Sequence, residues 1–97
     1  MIQVFKTKGT YDIFNGINTR EARMTCPIAL WKTASRKLDQ LDSIESIKDL
    51  RISPGNHLEE LSGDRKGQFS IRINDQYRIC FVWTDSGPDL VEIVDYH

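Results

Sequence analysis

The stretch that decides the fold is QFSIRINDQYRICFVW, residues 68–83, in which polar and apolar side chains alternate. Every second residue from Gln68 to Asn74 is apolar, and the alternation resumes at Tyr77. A period of two predicts β-strands that bury one face. Asn74-Asp75-Gln76 supplies typical turn residues between the two runs. The segment therefore predicts an antiparallel hairpin.

The length of the turn sets which side chains face each other. With a three-residue loop, Ile73 pairs with Tyr77 and Arg72 lies directly opposite Arg78. Like charges in that position are unfavourable, and an anion bound between them would remove the repulsion. A two-residue turn would make the pair diagonal. The alternative is that both arginines extend into solvent or meet carboxylates such as Asp95.

The rest of the chain completes an α+β pattern. A turn at residues 85–88 and a strand over residues 90–96 extend the hairpin to three antiparallel strands. After Pro27, apolar residues recur at three- and four-residue steps and predict an amphipathic helix that covers the sheet; they are Leu30, Trp31, Ala34, Leu38 and Leu41. We predict one domain, residues 1–97, in which N-terminal helices pack on a small twisted antiparallel sheet.

The remaining segments give weaker signals. Ile2–Phe5 reads as a strand added to the sheet edge, and Thr10 as the cap of a short helix that ends at Gly16. Residues 16–26 show no period and read as a loop or mobile segment. Ser43 can cap a second helical piece that ends before the turn at residues 54–56.

Charge and composition exclude several classes of protein. The net charge is −1, yet residues 1–38 carry seven Lys and Arg and residues 62–78 carry four. We read most of the first group as solvated surface. Cys26 and Cys80 lack metal-binding spacing, so neither metal nor cofactor is expected. No run resembles a signal peptide or membrane span, which predicts a cytoplasmic protein without membrane contact.

Two further motifs carry chemical groups. Asp95-Tyr96-His97 ends the third strand with an acid, a phenol and an imidazole, and strand alternation puts Tyr96 on one face and the other two on the opposite face. An imidazole can move a proton near neutral pH, although terminal residues often fray. Gly63–Gly67 holds Arg65 and Lys66 between glycines, so its backbone could approach a phosphate, or it is an ordinary loop.

These segments together resemble the HigB toxins of the RelE/ParE superfamily, which belong to bacterial toxin–antitoxin pairs. The similar stretches are HLEELSGDRKG (residues 57–67), SIRINDQYRI (70–79) and the closing DYH, and the opening residues 1–9 are also similar. The resemblance covers nearly the whole chain. It implies a RelE-like fold and a ribosome-dependent endoribonuclease that cuts messenger RNA. It also implies a HigA-type helix-turn-helix antitoxin as partner, with operator DNA bound only through the antitoxin complex.

The resemblance also implies site residues. Arg78, Asp95, Tyr96 and His97 match the family's catalytic positions, while Arg65, Lys66 and Arg72 match or supplement its basic, substrate-binding positions. The chain departs from the pattern where many relatives have Lys, at Ser62, and where some have His, at Glu59. His57 lies two positions away from the family His and is not given its role.

The reaction implied needs no metal. The ribose 2′-hydroxyl attacks the adjacent phosphorus and gives a cyclic phosphate, which requires a base, an acid and positive charge. Two alternatives stay open. One is a ParE-like protein that inhibits DNA gyrase without catalysis, and the other is a non-enzymatic domain whose basic face binds an acidic protein.

Overall fold

The computed structural model describes residues 1–96; His97 lies outside the described residues. The helices are α1 (Lys8–Phe14), α2 (Arg20–Thr25) and α3 (Trp31–Ser43), and the strands are β1 (Glu59–Glu60), β2 (Phe69–Arg72), β3 (Tyr77–Thr84) and β4 (Gly87–Asp95). Short 3₁₀ helices occupy Ile28–Leu30, Ile47–Arg51, Pro54–Asn56 and Gly63–Arg65. This order confirms the predicted α+β class. Within residues 1–96, no helix has the length and apolar character needed to cross a membrane.

The strands form one antiparallel sheet in the order β1-β2-β3-β4. The three predicted strands are confirmed, and β1 adds a fourth by pairing Glu59 with Ser70 and Glu60 with Phe69. A two-residue strand of glutamates has no apolar alternation, so its pairing could not be read from the chain. At the other edge, the predicted strand Ile2–Phe5 is reduced to a single parallel bridge between Phe5 and Val91, although the segment does join the sheet edge as expected.

The β2–β3 hairpin has the register expected for a three-residue loop. Arg72 pairs with Arg78, and the Ile73 amide donates to the Tyr77 carbonyl at 3.0 Å. The Asn74 side-chain oxygen accepts from the Gln76 and Tyr77 amides at 2.9 and 2.7 Å, which closes the turn. Asparagine favours this role because its short side chain can satisfy nearby backbone donors. Of the two arrangements that the sequence left open, the sheet therefore has the one in which the two arginines lie directly opposite each other.

The outer edge of β4 is completed by the N-terminal segment. The Val91 amide donates to the Val4 carbonyl at 2.9 Å, and the next outward amide, that of Ile93, donates to the Thr10 hydroxyl at 3.0 Å. Leu90, which has a φ of 49°, is the extra residue of a β-bulge in β4 and directly precedes Val91. The prediction that Thr10 caps α1 is wrong, because Thr7 caps this helix. The buried Thr10 hydroxyl instead accepts the hydrogen bond from the Ile93 amide of β4.

The core lies between α3 and one face of the sheet. Ala34, Leu38 and Leu41 are buried as the helical period predicted, with Leu30 and Trp31 packed half-buried beside them. The sheet contributes alternate residues of its three longer strands, chiefly Ile71, Ile79, Phe81, Val91 and Ile93. Burial of such side chains is worth about 1.5–3 kcal/mol each, so this contact determines which face of the sheet is covered.

The prediction of a loop over residues 16–26 is wrong, because α2 occupies Arg20–Thr25. Thr19 caps this helix by accepting from the Ala22 amide, and its hydroxyl donates to the buried Asp12 carboxylate at 2.6 Å. Gly9 lets α1 pack closely against α2, since a Cβ at this position would lie 2.5 Å from the Glu21 carbonyl oxygen. A single buried residue, Ala22, leaves no apolar period to detect.

The second helical piece begins later than predicted. Ser43 ends α3 instead of capping a new helix, and Ser46 caps the 3₁₀ helix Ile47–Arg51 through a hydrogen bond from the Lys48 amide. Both serines precede apolar residues, so local sequence did not distinguish them. The predicted turn at residues 54–56 is present as a 3₁₀ helix.

We predict that Thr10→Val destabilises the protein by about 1–3 kcal/mol, because the buried Ile93 amide loses its acceptor. Thr10→Ser keeps the hydroxyl and should lose less. Urea unfolding of both variants checks this, and equal stabilities of Thr10→Val and the parent chain would contradict it.

We also predict a pH-dependent role for Asp12. Hydrogen bonds from Lys8 and Thr19 hold its pKa below the ordinary 3.8, so the ionised carboxylate stabilises the fold above that pH and loses its contribution as pH falls further. Asp12→Asn should lower the free energy of unfolding at about pH 7 and lower it much less at about pH 3. Asp39→Asn, at an exposed position of α3, is the matched control. If Asp12→Asn lowers the free energy of unfolding by the same amount at both pH values, the stabilising role given to the ionised Asp12 carboxylate is wrong.

Candidate functional site

The face of the sheet opposite α3 carries most of the predicted site residues. Ile71 and Ile79 point into the core, so their neighbours Arg72 and Arg78 point the other way. Arg78 pairs with Val94, and Tyr96, two residues further along, lies on the same side. The Tyr96 amide donates to the Gln76 carbonyl at 2.7 Å, which extends the β3–β4 pairing beyond the strand. We call this surface the open face; it comprises Arg72, Arg78, Glu92 and Tyr96, with Arg65 lying over it.

The two arginines relieve their repulsion by turning to different acceptors. Arg72 forms an ion pair with Asp75 of the turn, whose side chain is 94% exposed. Arg78 donates to the Asn74 carbonyl, and its guanidinium carbon lies 5.7 Å from the centre of the Tyr96 ring. This distance allows a cation–π contact. The turn therefore supplies the acceptors that oppose the arginine pair, and a bound anion is not required for the fold.

Glu92 is a charged centre on the open face. Its side chain is only 12% exposed, and Oε1 accepts from Arg65 Nη1 at 2.9 Å and lies 3.6 Å from Lys6 Nζ. Arg65 also donates to the Gln68 side chain at 3.1 Å. The hydrogen bond to Glu92 raises the pKa of the Arg65 guanidinium. Arg65 is thus held in one position over the sheet rather than left free in its loop.

The two cysteines are packing residues. Cys80, opposite both Ser70 and Glu92 in the sheet, is completely buried, and burial raises the pKa of its thiol. Cys26 lies in the core, and burial raises its pKa to about 11. Neither thiol forms a disulfide, and both pKa values disfavour the reactive thiolate. The described residues contain no group of three or more His, Cys, Asp or Glu suited to a metal ion.

Three predicted site residues are not brought onto the open face. Asp95 pairs with Tyr77 on the side of the sheet that faces the helices, and it accepts from the Gln76 side chain at 3.1 Å. Lys66 lines an open cavity of about 610 Å³ with Leu61, Ser62 and Phe69 at the β1 edge. His97 lies outside the described residues. Arg65, Arg72, Arg78 and Tyr96 are the members that the structure gathers.

Comparison with known proteins assigns the chain to a family. Residues 3–97 match the family model described as the RelE-like toxin of the type II toxin–antitoxin system HigB. The chain belongs to the HigB-like toxins. It is 45% identical to toxin HigB-1 of Vibrio cholerae over 71 residues, which span 73% of this chain and 74% of that toxin. It is also 42% identical to an uncharacterized protein of Haemophilus influenzae over 60 residues, covering 62% and 59% of the two chains.

The fold of this HigB-like toxin agrees with a solved structure. A chain in the YoeB–YefM complex from Staphylococcus aureus superposes with a TM-score of 0.60, covering 100% of this chain and 98% of that one at 14% identity. At that level of identity the likeness concerns the fold alone. The resemblance seen in the sequence is thereby confirmed for the family and for the RelE-like architecture.

Sequence reasoning missed Glu92 and Lys6 as parts of this face. Glu92 is the one acidic residue in the run Leu90–Val94, and its strand phase matches that of Arg78 through the pair Cys80–Glu92. An acid in an otherwise apolar run of five residues was the available signal, because a carboxylate in such a place needs a cationic partner. Its partners could not be named, since they lie far away in the chain.

We predict that Glu92→Gln destabilises the protein by about 1–3 kcal/mol, because Arg65 and Lys6 lose their shared carboxylate. Urea unfolding measures the change. Glu59→Gln removes the same charge from an exposed position of β1 and is the matched control, expected to have little effect. Equal midpoints for Glu92→Gln and Glu59→Gln would contradict the role given to Glu92.

Proposed function

We propose that this HigB-like toxin is an endoribonuclease that cuts messenger RNA on the ribosome and thereby blocks translation. The observation that carries the proposal is the pair Arg72–Arg78 on adjacent strands, with the Tyr96 ring beside it. Two guanidiniums and an aromatic ring on one face offer charge for a phosphate and a surface on which a base can stack.

The present partners of the arginines leave them able to bind a phosphate. The Arg72–Asp75 pair involves a highly exposed carboxylate, and such pairs contribute about 0–1 kcal/mol. A phosphate can therefore displace Asp75. Arg78 uses one nitrogen for the Asn74 carbonyl and keeps further N–H donors in its planar group. Bidentate contacts from guanidinium to phosphate are strong and favour a charge that grows in the transition state.

The chemical step requires proton transfers as well as charge. The 2′-hydroxyl gives its proton to a base and attacks the neighbouring phosphorus, forming a 2′,3′-cyclic phosphate while the bond to the 5′-oxygen breaks. The leaving oxygen takes a proton from an acid, and no metal is needed. We assign one of these proton transfers to His97, with Tyr96 stacking on a base or assisting the other. Strand β4 ends at Asp95, so the alternation that separates Asp95 from Arg78 does not limit the face on which His97 acts.

Asp95 acts indirectly in this scheme. Its carboxylate lies on the opposite side of the sheet from Arg78 and accepts from Gln76, so it would hold the end of the chain and orient the residue after Tyr96. Arg65, which is held by Glu92, would add positive charge along the RNA. Lys66 would add a further positive charge at the β1 edge of the sheet. The ribosome would hold the message in the bent geometry that in-line attack demands.

The family supports a proposal for the partner and setting of this activity. We propose a HigA-type helix-turn-helix antitoxin as the partner, which neutralises the toxin and contacts operator DNA for both. The HigB family is one of toxin–antitoxin systems, and the structural neighbour is itself part of a YoeB–YefM complex. We also propose that the activity takes place in the cytoplasm, because the ribosomes and messenger RNA that it requires are found there.

We predict that Arg78→Ala lowers the rate of message cleavage on ribosomes by about 100- to 1000-fold, as loss of one transition-state donor typically does. Mapping of message 5′ ends in a reconstituted translation system measures the rate. Deletion of His97 should also abolish cleavage. Arg23→Ala, in the exposed part of α2, removes the same type of side chain elsewhere and should cleave normally.

Two results would contradict the proposal. Arg78→Ala and the His97 deletion could both cut as fast as the parent chain, which would refute the site. The parent chain could arrest growth without cutting any message, which would refute the activity and favour a non-catalytic inhibitor, such as one acting on DNA gyrase.

A further inference from the structure

A second basic site lies on α3, apart from the open face. Arg36 and Lys37 line an open cavity of about 260 Å³ together with Gln40, Ser53 and Asn56. Every lining residue is polar or charged, and two of the five are cations. We call this cavity the α3 pocket. It has the composition of a site for a small anion rather than for an apolar side chain.

The groups of the α3 pocket are held in place. Lys37 Nζ donates to Asn56 Oδ1 at 2.6 Å and to the Gly55 carbonyl at 3.3 Å. Asn56 is buried, and its Nδ2 donates to the Leu50 carbonyl at 3.2 Å and to the Gln40 side chain at 3.4 Å. An ammonium group has three donors, so Lys37 retains one after these two contacts.

The positive charge of the α3 pocket is not balanced nearby. Among residues 1–96, no carboxylate lies within 4 Å of Arg36 or Lys37, whereas Lys6, Lys8 and Arg65 each have at least one. Partial burial, together with repulsion from Arg36 and Arg72, lowers the pKa of Lys37. Cations gathered around a polar cavity without an acidic partner favour binding of an anion.

The α3 pocket is separate from the open face but lies near the Arg72 end of it. The 3₁₀ helix Pro54–Asn56 contacts β2, the strand that carries Arg72. Ser53 also lines a neighbouring cavity of about 170 Å³ whose other residues include Arg51 and His57. A chain of phosphates that starts at the arginine pair could therefore reach Lys37.

We propose that the α3 pocket binds a backbone phosphate of RNA, remote from the bond that is cut. This inference rests on the proposed function, which makes RNA the substrate. The phosphate would accept from the free Lys37 donor and from Arg36, with the Ser53 hydroxyl as a further donor. An acidic protein segment is the less suitable occupant, because the lining residues provide no apolar anchor of the kind that protein interfaces use.

The test compares single charge removals on one helix. Lys37→Gln and Arg36→Gln remove the two pocket cations, and Lys32→Gln removes an exposed lysine of α3 that does not line the cavity. The probes are a 2′-O-methyl oligoribonucleotide, which cannot be cut by 2′-hydroxyl attack, and isolated small ribosomal subunits. Arg36→Gln controls for misfolding: it leaves the Lys37–Asn56 hydrogen bond in place, so a loss of affinity in this variant does not come from loss of that bond.

The expected result is a loss of RNA affinity with a smaller salt dependence. Each phosphate contact to single-stranded RNA contributes about 0.7 to the slope of log affinity against log salt. Lys37→Gln and Arg36→Gln should each weaken binding about three- to tenfold and reduce this slope by about 0.7, while Lys32→Gln changes neither. If the pocket variants lose affinity for the oligonucleotide alone, the phosphate belongs to the message. If they lose affinity for the small subunits alone, it belongs to ribosomal RNA.

Other outcomes overturn the proposal. Unchanged affinity and slope in both pocket variants, with a parent chain that binds and cuts RNA, would refute the α3 pocket and leave the endoribonuclease intact. Weaker binding of the antitoxin alone would make the pocket a protein-docking surface instead. A parent chain that neither binds nor cuts RNA would refute the proposed function together with this inference.

Discussion

The register of the β2–β3 hairpin, in which Arg72 lies opposite Arg78, decides how the rest of the molecule is arranged. The same pairing places Ile71 opposite Ile79 in the core, because adjacent strand residues point to opposite faces. A shift of one residue would bury the arginines and expose the isoleucines. Burial of the apolar face under α3 therefore also fixes the position of the two guanidiniums on the open face.

The distribution of carboxylates then distinguishes the cations that are structural from those available to a ligand. Arg65 and Lys6 are committed to the buried Glu92, which holds a loop and the N-terminal segment against β4. Within residues 1–96, Arg72 pairs with the exposed Asp75, and Arg78 donates to the Asn74 carbonyl beside the Tyr96 ring, so under the proposed function a phosphate competes with weakly held partners at both arginines. A net charge of −1 conceals this difference, because opposite charges cancel in the sum without lying together in space.

Much of the fold was predictable from periodic segments. The hairpin and the buried side of α3 follow from patterns that neighbouring residues impose on one another. The register of the hairpin was one of two that the sequence left open, and the structure has the one with a three-residue loop. Helix α2, strand β1 and the caps at Thr7 and Ser46 were missed or misplaced. Helix α2 and strand β1 are short and are stabilised by contacts with another element rather than by their own pattern, as the Asp12–Thr19 hydrogen bond shows for α2. The caps were misplaced because Thr10 and Ser43 are capping residue types that lie only three positions away from Thr7 and Ser46.

For the candidate site, the sequence by itself determined the family, the presence of an arginine on each strand of the hairpin and the separation of Tyr96 from Asp95 on opposite faces of a strand, whereas the structure decided that the two arginines lie directly opposite each other. The strand features that the sequence determined depend on a period of two, which acts over a few residues. Only the tertiary structure decided that Glu92 holds Arg65, 27 residues away, and that Lys37 meets Asn56, 19 residues away. The reason is that burial and the pairing of charges depend on which distant segments the fold brings together, and no local pattern records that.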